Sequence, residues 1–83
     1  METRTSGAGV LTRQLDGELR LVREAILMVA SRAASRVTVA GLLLGAQILG
    51  PAERLAETSG VRLIPLWSAD EERLDIRVEA AQP

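Results

Sequence analysis

The sequence predicts a small two-layer α/β domain: elements in the order helix-strand-helix-strand-strand, with a three-stranded mixed sheet that has an antiparallel edge strand. Three observations predict it. Leu15, Leu19, Val22, Ile26, Val29 and Ala33 recur at alternating intervals of four and three, the spacing of one apolar helical face. Arg36 to Ala40 is a β-branched run that stops at Gly41, as a short strand does. Leu74 to Glu79 alternates apolar and charged side chains, the period of a strand with one buried face.

Residues 1 to 10, METRTSGAGV, carry no periodicity and read as a flexible tail, leaving 11 to 83 as a single domain. From Leu11 the helical stripe takes over. Asp16–Arg20 and Arg20–Glu24 are opposite charges four residues apart, each pair worth a few tenths of a kcal/mol on a helix. Asp16 also stands where a cap would begin the helix, with any upstream turn frayed or separate. A second apolar line, Leu21, Ala25 and Met28 with Leu27 nearby, exceeds what burial against one sheet face requires. A helix from Leu11 to Ala34 would be about 36 Å long, against a radius of gyration of about 12 Å for a domain of this size. The surplus points to a second subunit or a partner protein on this helix.

After the first strand, Pro51 suits the first turn of a second helix and Gly60 its left-handed end. Residues 42–49 fit either an N-terminal part of that helix or a connecting turn, since a residue before proline avoids helical geometry. Val61 to Trp67 reads as an inner parallel strand, apolar on both faces, joined to the first by a right-handed crossover. Leu74 to Glu79 is then the edge strand, its charged side guarding against aggregation.

Composition removes whole classes of chemistry. The 83 residues include no cysteine and no histidine, so disulfides, thiol nucleophiles and Cys/His zinc sites are excluded. All ten basic residues are arginine, and neither lysine nor tyrosine occurs; a Ser or Thr hydroxyl has no partner of these types to activate it. The expectation is a chain that is not an enzyme and uses no cofactor. A chain this short buries only about 60 to 65% of its unfolded surface, and with disulfides and Cys/His metal sites excluded, self-association is the remaining source of added stability. The formal net charge is −1. Through Arg36 six arginines face four acids, and from Val37 onward four face seven. That polarity can orient one copy on another but falls short of the basic excess that phosphate backbones need. No signal peptide or membrane-spanning stretch is visible, so the expected location is cytoplasmic, without membrane attachment.

The candidate sites divide in two. For a protein interface they are Leu21, Ala25, Met28 and Trp67; tryptophan dominates many interfaces, although Trp67 can equally cover the end of the core beside Pro65. For an anion they are Gly41 and Gly45, in a 41–50 turn placed where α/β proteins hold phosphates, and Ser31, Arg32, Ser35 and Arg36, repeated at an interval of four. The glycine spacing matches no phosphate-binding motif, and close packing explains it as well. Asp70, Glu71 and Glu72 read as a solvated hairpin loop rather than a cation site.

The helix leading into Arg36-Val37-Thr38-Val39-Ala40, followed by a helix and Gly60-Val61-Arg62, resembles the central helix-strand-helix-strand unit of small ribosomal kink-turn-binding proteins. That resemblance implies RNA binding. The weak basicity and the charged closing strand depart from that pattern, and no residue roles are carried over. The first expectation is therefore a non-enzymatic interaction module that pairs with itself or serves as a small subunit of a larger assembly. The second is a small-ligand or anion-binding domain using the 41–50 turn, and the third an RNA-binding domain.

Overall fold

The apolar stripe that becomes periodic at Leu15 is carried by a helix that starts earlier. The computed structural model describes residues 6–70 and 72–81, and in it α1 spans Ser6–Ala30, followed by β1 (Arg36–Leu42), α2 (Gly45–Ser59), β2 (Val61–Trp67) and β3 (Leu74–Ala80). Residues 6 to 10 thus belong to α1 and not to a tail; residues 1 to 5, the rest of the expected tail, lie outside the described residues. A formed helix extends at little cost per residue, so small side chains without periodicity do not end it. Nor does Asp16 begin it. The helix ends before Ala33: Arg32 takes a left-handed backbone with φ 68°, while the amides of Ala33 and Ala34 both donate to the Met28 carbonyl.

α2 settles the ambiguous stretch 42–49. Leu42 closes β1, and the helix runs from Gly45 straight through Pro51, which sits exposed on its outer side. Proline there leaves the carbonyl of Gln47 without its helical donor. Ile48, Ala52 and Ala56 form the buried face of α2. Gly60 ends it as expected, in the left-handed region at φ 73°.

The element order and class agree with expectation, whereas the sheet order is β1-β3-β2 with both pairings antiparallel. β3 is central, not an edge, and β2 is an edge, not an inner parallel strand. β1 and β2 run in the same direction without touching as neighbours, and β3 fills the gap between them. The physical reason lies on the helix-facing side of β3. Leu74, Ile76 and Val78 are each 0% exposed, and burial so complete needs a strand on both sides as well as helices above. Its charged residues occupy the other face, away from the two helices that pack against Leu74, Ile76 and Val78.

The core is a single aliphatic layer between sheet and helices. Val22, Ala25, Ile26 and Val29 of α1 meet Leu42 of β1, Ile48, Ala52 and Ala56 of α2, Val61 of β2 and the three buried residues of β3. Among the described residues no polar or charged side chain is buried. α1 packs over β1 and β3, and α2 over β2. At about 37 Å, α1 outruns the sheet. Leu11, on its core-facing side, is 59% exposed, and the radius of gyration is 14.0 Å.

Candidate functional site

The turn after β1 is the place an α/β fold would offer to an anion, and here the chain fills it with its own carboxylate. Glu18, on α1, accepts the amide of Leu43 at Oε2 (3.0 Å) and that of Leu44 at Oε1 (2.9 Å). Gln14, one turn earlier, donates to the same carboxylate at 3.2 Å. Leu44 is the N-cap residue of α2 and contributes no side-chain cap, so Glu18 supplies the negative charge that a helix start favours. The residues expected to bind a phosphate have other duties. Gly41 sits in a bulge between Val39 and Leu42, at φ 72°, and its amide donates to Asp75 Oδ1 at 2.8 Å. Gly45 is buried against β3 so closely that a Cβ there would come within 2.6 Å of the Leu74 side chain. Sequence reasoning missed Glu18. Its only signal was an acid on the side of α1 that faces the core.

Ser31, Arg32, Ser35 and Arg36 do not converge. Ser31 Oγ donates to the Met28 carbonyl at 3.2 Å, closing the end of its own helix. Arg32 and Ser35 line an open depression of about 590 Å³ together with Ser59 and Gly60. That depression lies at the carboxyl ends of both helices, where the helix dipoles disfavour an anion. Arg36 lies on the uncovered sheet face, its Nε 3.7 Å from Glu79 Oε2. Arg62 and Arg77 reach the same carboxylate, each at 3.1 Å. The register explains the meeting, since Arg36, Glu79 and Arg62 form one row across the three strands. The Arg62 hydrogen bond, joined by the charges of Arg77 and Arg36, holds the Glu79 carboxyl below its ordinary range against an opposing contribution from partial burial.

Asp70 shapes the β2–β3 hairpin. Its Oδ1 accepts Ser68 Oγ at 2.6 Å and the Glu72 amide at 3.0 Å, and these bonds lower its pKa. Glu71 lies outside the described residues. Among the described residues no three potential ligands gather as a metal site, and no helix is long and apolar enough to cross a membrane.

The four interface candidates separate. Ala25 is only 2% exposed and belongs to the chain's own core, which removes it from the outward line. Leu21 and Met28 stay 53% and 45% exposed. Seven residues apart, they lie within about 20° of each other around the helix. The side of α1 that faces α2 is marked by Asp16, Leu19, Arg20 and Arg23, which line a depression with Pro51 and Leu55. At about 100° per residue Leu21 and Met28 fall on the opposite flank, the side of β1, since α1 packs over β1 and β3 and α2 over β2. Leu27, 54% exposed, points elsewhere, toward solvent. Trp67 is 43% exposed and stands apart at the end of β2, lining a shallow depression with Leu43, Ala46, Gln47 and Glu72. Leu43 beside it is also exposed.

The flank on the β1 side therefore combines two exposed apolar side chains with a strand whose outer edge has no neighbour among the described residues. Comparison of the chain with protein-family models, with curated proteins and with solved structures found no match. Geometry alone informs function here.

Proposed function

We propose that this chain is a non-enzymatic interaction module that associates with a second copy of itself through the long first helix. One observation carries the reading: Leu21 and Met28 line a flank of α1 that the described residues leave exposed, on the side of β1, an edge strand of the sheet. Apolar side chains grouped on a helix flank gain about 25 cal/mol for each Å² withdrawn from water, and a symmetric pair brings the same patch twice. The residue inventory supports the non-enzymatic half, since His, Cys, Lys and Tyr are all missing. The absence of any polar side chain in the core among the described residues agrees with it.

The ligand reading of the 41–50 turn has less support, because Glu18 already holds the amides of Leu43 and Leu44 that an anion would use. An RNA reading is disfavoured by a net charge of −1. A cytoplasmic setting is part of the proposal and rests on the absence of cysteine. Sedimentation velocity over a hundredfold range of concentration tests the main claim. A dimer that dissociates on dilution is expected, and a monomer across the whole range would overturn it.

A further inference from the structure

The two outer strands differ in how open they are. β2 contains Pro65, which cannot donate to a ladder, and proline is a common device for blunting a sheet edge. β1 contains none. It is regular from Arg36 to Val39, and then the bulge at Ala40 and Gly41, where two residues oppose Asp75, breaks the ladder. Thr38 lies within that unbulged segment of four residues, its side chain on the uncovered sheet face.

We infer that a second copy adds its β1 antiparallel to this one across a two-fold axis at Thr38, joining two three-stranded sheets into one of six strands. This rests on the self-association proposed above and specifies its geometry. In that register Thr38 faces Thr38 of the second copy on the uncovered sheet face, a favourable cross-strand pair. On the helix side, Val37 of each copy faces Val39 of the other. Both valines are half-buried within their own chain, and pairing would complete their burial with β-branched neighbours.

The helices fit the same axis. α1 runs back along β1, tied at one end by Glu18 to Leu43 and Leu44 and joined at the other through the turn between Ala30 and Arg36. The midpoint of that helical stretch is near Glu24, and Leu21 and Met28 flank it almost equally. Pairing of the two β1 strands therefore lays the α1 helices antiparallel side by side, with Leu21 and Met28 of each copy along the seam between them.

Charge agrees with this choice of occupant. Near Arg36 the uncovered face holds three arginines against the single Glu79. Two rows further along β3 the only charge is Asp75, between Ala40 and Leu66. Pairing about Thr38 sets Arg36 across from Ala40 of the second copy, on the side where that copy's Asp75 lies. The cationic end of each face thus meets the acidic end of the other, twice per dimer.

The absence of cysteine makes the test direct. Directly opposed residues in an antiparallel pair have Cα atoms about 4.5–5.5 Å apart, within reach of a disulfide. Under mild oxidation Thr38→Cys should migrate mostly as a covalent dimer, whereas Arg62→Cys, on the far edge, should stay mostly monomeric. Leu21→Cys combined with Met28→Cys should cross-link between copies as well. If the unmodified chain sediments as a dimer but T38C links no more than R62C, the β1 geometry is wrong and self-association stands. If the unmodified chain is a monomer at every concentration, both fall.

Discussion

Glu18 and Leu44, 26 residues apart, are joined where the Leu44 amide donates to Glu18 Oε1 at 2.9 Å, and the neighbouring Leu43 amide takes the other carboxylate oxygen. One side chain on α1 thereby ties that helix to the turn that launches α2. Glu18→Ala leaves the half-buried Leu44 amide without a partner and strips the helix start of its charge. The expected loss is about 1–2 kcal/mol, read as a lowered denaturation midpoint with an unchanged urea slope. A variant as stable as the original would show that water replaces the carboxylate without penalty.

The glycine that begins α2 makes a sharper prediction. At Gly45 an added Cβ would meet the Cβ and Cδ2 of Leu74 at 2.6 Å, and Leu74 is wholly buried in the central strand. Gly45→Ala should cost about 1–3 kcal/mol through overpacking. Gly17→Ala is its control, since nothing lies near that position within α1 and alanine is the better helix former by about 1 kcal/mol. Thermal melts of the two variants should therefore move in opposite directions.

These two glycines also show how the sequence could be read and where it misled. Val22, Ile26 and Val29 announced the buried face of α1 because helical periodicity is local. Gly60 announced its cap for the same reason. The position of β3 was not local. Alternation of Leu74, Ile76 and Val78 with charged residues describes any strand with one face in water, and in a sheet covered on one side a central strand has that pattern too. Pro65 held the better signal, for it places β2 at an edge. Of the candidate site, the exposed Leu21 and Met28 were legible as surplus apolar residues, while Ala25 needed the angle of α1 over the sheet. The Glu18 clasp depends on a contact between residues 25 and 26 positions apart in the chain, and no short motif encodes it.

Acid should weaken the fold in part through Glu79. Its carboxyl is held below the ordinary glutamate range, first by the Arg62 hydrogen bond and then by Arg77 and Arg36. A folded-state pKa below the unfolded one means stability that is present above the unfolded value and lost as pH falls through the folded value. Melting temperature should drop below about pH 4.3, the ordinary glutamate value. Asp70 contributes in the same direction, so the informative comparison is with Glu79→Gln. That variant should be less stable at pH 7 and lose less on acidification. The difference should shrink in 1 M salt, which screens exposed charges. Parallel curves for the two proteins at all pH values would remove Glu79 from the account.

Ile26 and Leu21 stand on neighbouring faces of one helix, and substitution at each should produce a different kind of loss. Ile26 is 0% exposed, so Ile26→Ala leaves a cavity within the chain and should cost about 2–5 kcal/mol, at any protein concentration. Leu21 is 53% exposed and makes no demand on the monomer core. If the bare flank of α1 is a self-association surface, the melting temperature of the unmodified chain rises with concentration, because only the folded chain dimerises. Leu21→Ser should abolish that rise while leaving the melt at high dilution within about 0.5 kcal/mol of the original. Calorimetry at two concentrations for each protein distinguishes the cases. A melting temperature independent of concentration in the unmodified chain would show that the exposed Leu21 serves no association between copies.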